Sequence, residues 1–258
     1  MAESAAPQPP ERLPERTSLL NMAWVKLNQL SQGLIAPPPP TPIKKHVLVV
    51  HAHPLPESFS RALAETARRA LLDAGHRVTF LSLYDQNFRP ALTADERRRY
   101  MGPTDSDPGL PAYPTASADV ADSVKLLSTC DALVVVYPTW WFNVPGILKG
   151  WVDRAFLPGT AFKLPHLEPD DSPKIPGSAI IPGLPNVRQF GILTTFGATR
   201  VITAACGDNG RNMWCRALLP MFHPFCSVNW LGLYDMDHTT PAKRAAFLES
   251  VRQAYLKF

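Results

Sequence analysis

Between residues 46 and 258 the chain alternates short apolar runs with stretches whose apolar residues recur at helical spacing. Residues 47–50 read Val-Leu-Val-Val, and residues 132–136 read Ala-Leu-Val-Val-Val. Apolar runs this short and unbroken suit parallel strands buried on both faces. Three more strands are predicted at 77–83, 189–194 and 228–233. Helices are predicted from 58 to about 74, near 93–101, at 117–127, at 145–155 and at 241–255. Gly75 ends the first of these, and Pro145 sits in the first turn of the fourth, where its missing N–H costs nothing. A long Pro-rich excursion occupies 84–116. Alternating β and α units of this kind predict an α/β, doubly wound, five-stranded parallel sheet with helices on both faces. No internal repeat is found.

The first 45 residues break the pattern. They carry nine of the chain's 28 prolines, with Pro37 to Pro40 consecutive. This segment is expected to be a tail, with an extended polyproline spacer at 37–42. Inside it Leu20, Trp24, Leu27, Leu30 and Leu34 recur at helical spacing after Ser18, a suitable N-cap. The resulting amphipathic helix has Lys26 as its only charge. It lacks the basic face of a membrane-binding helix and is expected to dock on the body of the protein.

Composition narrows the class. Hydrophobic residues make up 45% of 258, ample for one core, and the net charge is +4. That charge is too small and dispersed for a nucleic-acid binder, although it could assist capture of an anionic cofactor. The run Arg97-Arg98-Arg99 reads as a solvated helix face. Cys130, Cys206, Cys215 and Cys226 include no C-x-x-C pair, so no zinc site or redox motif is signalled. No apolar stretch approaches a membrane span, and no secretory signal is seen. A reduced, cytoplasmic protein is expected.

Two strand-end loops carry the candidate chemistry. After the 132–136 run the chain reads Pro138-Thr139-Trp140-Trp141-Phe142-Asn143. Ligands of open α/β sheets bind at the carboxyl ends of strands, so these aromatics stand where a flat, polyaromatic cofactor belongs. The competing reading is that the Trp pair plugs a core or a subunit contact. After the first strand, residues 51–60 run His-Ala-His-Pro-Leu-Pro-Glu-Ser-Phe-Ser into a helix, with neither a G-x-G-x-x-G fingerprint nor a Walker sequence. Ser58 and Ser60 stand at a helix N-terminus, where free N–H groups and hydroxyls accept phosphate; simple N-capping by Ser58 is the alternative. Metal binding by His51 and His53 would need further ligands that the sequence does not mark.

The loop H-x-x-x-x-S-F-S-x-A-L, the run P-x-W-W-F-x-V-P-G-I-L-K-G-W-x-D-R-x-F and the later T-T-F-G-A together resemble the flavodoxin-like NAD(P)H:quinone oxidoreductase family. The resemblance covers roughly residues 46–257. It implies a bound flavin, FAD with FMN as the alternative, and NAD(P)H as co-substrate. Carried over by position, His53, Ser58, Phe59 and Ser60 would hold the flavin phosphates. Pro138, Thr139, Trp140, Trp141 and Phe142 would wrap the isoalloxazine ring. Thr194, Thr195, Gly197 and Ala198 would hold its other side, and Trp140 and Phe142 would meet the substrate. The resemblance further implies two-electron reduction of quinones by a ping-pong mechanism in a homodimer.

One departure is plain. The animal enzymes carry a Tyr and a His shortly after the Thr-Thr loop, and residues 196–210 contain neither. No general acid is therefore assigned. The stretches 180–186 and 231–237 look more like the bacterial branch, and Asp208 with Arg211 is expected near the pocket mouth or as a surface ion pair. A flavin-binding regulatory subunit of a transporter or other partner, with the tail as tether, is the competing function. An electron-carrier flavodoxin fits a chain of this length and charge poorly.

Overall fold

The computed structural model describes residues 44–100, 109, 111–168 and 180–258. The Pro-rich tail and its helix lie outside the described residues.

Five parallel strands form the central sheet: β1 (His46–His51), β2 (Arg77–Ser82), β3 (Ala132–Pro138), β6 (Gln189–Thr195) and β7 (Ser227–Leu233), in the order β2-β1-β3-β6-β7. A two-stranded antiparallel hairpin, β4 (Phe162–Lys163) with β5 (Ile181–Pro182), stands beside it. Every residue of β1 and of β3 is buried, as suits their apolar runs at 47–50 and 132–136, and the histidines at both ends of β1 are buried with them. Alternation along the strands divides the core. Val47, Val49, Val134 and Leu193 face α1 (Phe59–Asp73) and α7 (Pro241–Tyr255). Leu48, Val50, Val135 and Ile192 face the other side. There they meet α3 (Ala121–Thr129) and α4 (Gly146–Ala155), together with Trp214.

Local signals account for the boundaries. Ser58 caps α1 by accepting the Arg61 N–H at 3.1 Å, and Gly75 closes it at φ 85°. Gly75 N–H donates to the Leu72 carbonyl and His76 N–H to that of Leu71, the paired bonds of a glycine C-cap. Within the excursion, α2 (Ala94–Arg99) begins with a capping box between Thr93 and Glu96. Gly150 of α4 lets the excursion pass close by, since a Cβ there would lie 2.2 Å from the Pro90 carbonyl oxygen.

The structure corrects the sequence reading at four points. The helix expected at 117–127 begins at Ala121, because the Ser117 carbonyl first closes a turn with Val120 and Ala121 and its hydroxyl donates to Glu96. Pro145 is the N-cap of α4 at ψ 145° rather than a residue of its first turn. Trp151 does not belong to an exposed aromatic group: it is fully buried, with its indole N–H donating to Ser123 Oγ at 3.1 Å. Between β6 and β7, where no helix was predicted, the chain forms α5 (Arg200–Ala205), α6 (Asn209–Asn212) and a π-helical turn at Met213–Leu218.

Candidate active site

The carboxyl ends of β1, β3 and β6 bring the three predicted loops to one edge of the sheet. Thr139 N–H donates to the Thr195 carbonyl at 2.7 Å, and the Thr139 and Thr194 hydroxyls lie 3.1 Å apart. The second and third loops are thereby fastened together. Thr194 is fully buried, so its side chain supports Thr139 from beneath, and Thr195 is nearly so. Across the groove the His53 ring stands 5.9 Å from that of Trp140, tilted by 58°. This contact joins the first loop to the second.

The aromatic loop is a tight reversal. Trp140 and Asn143 exchange both backbone N–H···O bonds at 3.0 Å, which leaves the N–H groups of Trp141 and Phe142 outside the pairing. Both central residues are left-handed, at φ 50° and 57°. That geometry normally calls for Asn, Asp or Gly, and a bulky residue there stores strain. Asn143 steadies the exit by accepting the Val144 N–H on its own Oδ1 at 2.8 Å. The turn presents Trp141 to solvent at 96% exposure, with Trp140 at 38%.

At the start of α1 the Ser58 hydroxyl is the N-cap, as one of the two sequence readings had it. Phe59 and Ser60 follow in the first turn, where N–H groups have no intrahelical acceptor. Phe59 packs against the α1/α7 side of the core and Ser60 is buried. The Nδ1 atom of His53 accepts the Leu55 N–H at 3.0 Å, so in the neutral ring the proton sits on Nε2 and can be donated outward. Burial lowers the His53 pKa. His51, fully buried at the end of β1, is held near 4 by burial and by the positive charge of Arg61.

The third loop closes the far side. Gly197 is exposed beside Asp237, whose carboxylate a Cβ would meet at 3.2 Å, and the Ala198 carbonyl accepts the Asp235 N–H at 3.0 Å. Phe196 stacks on Tyr234 with ring centroids 4.3 Å apart and planes 7° from parallel. Asp208 is left-handed and lies 3.9 Å from Arg211, whose guanidinium sits 5.4 Å over the Trp230 ring. The Phe196–Tyr234 stack was not singled out from the sequence, and His51 was weighed there only as a metal ligand, not as a buried ring beneath the first loop. Their only signal was adjacency to the strand ends.

The arrangement therefore offers unpaired amide donors and hydroxyls at a helix N-terminus, a partly exposed aromatic wall, and turn amides free to meet a planar ligand. These suit a phosphorylated, flat, aromatic group such as a flavin. Among the described residues no group of three His, Cys, Asp or Glu could hold a metal ion.

Residues 45–258 match the family described as Flavodoxin-like fold. NAD(P)H dehydrogenase (quinone) 1 of Rattus norvegicus is 32% identical over 219 residues, covering 80% of this chain and 74% of that one. Ribosyldihydronicotinamide dehydrogenase (quinone) of the same species is 34% identical over 127 residues; the match spans 47% of this chain and 55% of the relative's length. Among solved structures, the NAD(P)H:quinone oxidoreductase from Methanothermobacter marburgensis superposes with a TM-score of 0.63 at 26% identity, over 83% of this chain and 96% of that one. The chain thus belongs to the flavodoxin-like family, among relatives named for NAD(P)H-dependent oxidation and quinone reduction.

Proposed function

We propose that the protein is a flavin-dependent NAD(P)H:quinone oxidoreductase. The observation that carries this reading is the joining, at one edge of the sheet, of a helix N-terminus rich in donors to a strained aromatic turn. The flavin, when bound, supplies the hydride-accepting and hydride-donating chemistry, and the chain supplies binding, orientation and exclusion of water. Ser58, Ser60 and the first-turn amides of α1, with His53, would hold the phosphate end. Pro138 to Phe142 would wrap the ring from one side, and Thr194, Thr195, Gly197 and Ala198 from the other. FAD is the proposed form, as in the resembling family, with FMN the alternative.

The substrates would share one aromatic wall, formed by Trp140 and Phe142. NAD(P)H would give up a hydride there and leave. The quinone would then take up the equivalent hydride and one further proton, leaving as the hydroquinone. Donor and acceptor occupying one face in turn makes the kinetics ping-pong. Residues 196–210 offer no Tyr or His to deliver the proton, so turnover should be slower than in enzymes that carry the pair; positioned donors typically contribute about 10²–10⁴-fold.

The test is steady-state oxidation of NADH and NADPH with menadione. Parallel double-reciprocal lines are expected, and Trp140→Ala should lose activity more than it loses flavin. Converging lines would reject the ping-pong order. Flavin-loaded protein that leaves NAD(P)H unoxidised would reject the enzyme in favour of a flavin-binding regulatory subunit. The mass of the flavin released on denaturation decides FAD against FMN.

A further inference from the structure

β1 ends on a histidine where its composition would favour another aliphatic residue. His51 is fully buried, its ring stacked on Phe80 with centroids 6.1 Å apart and planes 24° from parallel. The Arg61 guanidinium also sits against Phe80, 5.1 Å from the ring centroid. Phe80 thus meets both side chains, and its ring backs one face of the imidazole. Its Nε2 atom lies 3.5 Å from the Ser60 hydroxyl, and its Nδ1 atom has no partner. Burial, with the positive charge of Arg61 and the neighbouring His53, keeps the ring neutral against the opposing pull of Asp85 and Glu65.

A neutral imidazole carries one proton, and the two placements differ in cost. A proton on Nδ1 would bury an N–H with nothing to receive it. A proton on Nε2 leaves Nδ1 as an orphan lone pair, which interiors tolerate better than an orphan donor. In the second form Nε2–H donates to Ser60 Oγ and occupies its acceptor side, and the Ser60 O–H is free to turn away from the ring. Ser58 Oγ is already engaged by the Arg61 N–H. The Ser60 hydroxyl therefore becomes a directed donor beside the amides of Phe59 and Ser60.

We infer that His51 is a positioning residue for an anion at the start of α1, aiming the Ser60 hydroxyl at the cofactor's phosphate. This rests on the flavin reading above. It assigns His51 no contact with the cofactor itself, and none with the reacting atoms.

The test compares binding of FMN and of riboflavin, which lacks the phosphate, by the full-length apoprotein. His51→Leu removes the donor, and His51→Gln replaces it with an amide N–H. Ser60→Ala removes the hydroxyl. A hydrogen bond to a charged group contributes enough that His51→Leu and Ser60→Ala should each weaken FMN about tenfold or more while leaving riboflavin unchanged. The double variant should lose no more than either alone, and His51→Gln should bind FMN nearly as the wild type does. Equal loss of both ligands in His51→Leu would show a merely structural role and overturn the inference, as would an unchanged ratio of the two affinities. If His51→Leu does not fold, Ser60→Ala and His51→Gln decide alone: no phosphate-specific loss in the first, or a full loss in the second, overturns it. If the wild type binds FAD but not FMN, the same comparison is read with FAD against riboflavin; wild-type protein that binds none of the three rejects the flavin reading rather than this one.

Discussion

Trp141 and Phe142 show how much of the site is decided one residue at a time. Both hold left-handed backbone without being glycine, and Trp141 buries almost nothing in return. Trp141→Asn should raise the stability of the cofactor-free protein by about 1 kcal/mol, read as a higher midpoint in urea, because Asn tolerates this region. The same variant should lose quinone reductase turnover. A gain in both would mean that the strained turn has no function. Ser58→Asp puts a carboxylate where an anion is proposed to bind, and the purified protein should be largely colourless. Retention of flavin at wild-type affinity would reject that loop as the phosphate site. His51 also gives stability a pH dependence. Its folded pKa, near 4, lies below the ordinary 6.5 of the unfolded chain. Between these values the unfolded state binds more protons, so the contribution is complete above about pH 6.5 and is lost as the pH falls toward 4. Over that window the loss is about 3 kcal/mol. Denaturant midpoints of wild type and His51→Leu should therefore converge as the pH is lowered.

At the scale of elements, one buried guanidinium ties the excursion to the sheet. Arg154 of α4 donates to both carboxylate oxygens of Asp119 at 2.9 Å, to Glu96 Oε1 of α2 at 2.7 Å and to the Arg89 carbonyl. The other Glu96 oxygen closes the α2 capping box through the Thr93 N–H. One carboxylate thus caps a helix and binds that helix to another. Burial alone would push the Glu96 pKa up, but the hydrogen bonds from Arg154, Thr93 and Ser117 win and hold it at about 2. Arg154→Met should cost about 3 kcal/mol, because it leaves part-buried Glu96 without a cation and Asp119 with only the exposed Arg89 at 3.4 Å. Calorimetry should show a fall in Tm of several degrees; no change would mean that the network is neutral. The Glu96 contribution is present above the unfolded carboxylate range and is lost as the pH falls toward 2, so acid acts first through His51 and then here.

Across the whole molecule, exposed apolar side chains collect at the site. Leu55, Trp140, Trp141, Val201 and Ile202 all follow the carboxyl ends of β1, β3 and β6, and Leu72 alone among the exposed large hydrophobics described lies elsewhere. Such a concentration marks an interaction surface. It supports the homodimer that the family resemblance implies, and we propose that the partner chain finishes each site there. Sedimentation equilibrium should give twice the chain mass, and Val201→Glu should shift it toward the monomer with loss of activity. A monomer of full activity at every concentration would reject the proposal. No helix among the described residues is long and apolar enough to cross a membrane.

The two central strands β1 and β3 were legible because a strand buried on both faces carries a short apolar run, whereas the part-exposed edge strands β2 and β7 were read from the alternation of β and α segments. The positions of the candidate loops followed, since each comes directly after such a run. What the sequence could not carry was whatever depends on contacts distant along the chain. Ser117 looked like a helix start until Glu96, 21 residues away, engaged its hydroxyl. Trp151, in the predicted helix at 145–155, counted with Trp140, Trp141 and Phe142 as more aromatic surface than one face would expose, until the core enclosed it. The left-handed pair at 141–142 contradicts local preference and is held by the bonds between Trp140 and Asn143 and by neighbouring strand ends. His51 is the sharpest case. From the sequence it was weighed only as a metal ligand, and only folding brings Phe80 and Ser60 against it. Periodicity, a local property, determined the sheet and the location of the site; partners, a tertiary property, decided what each side chain there can do.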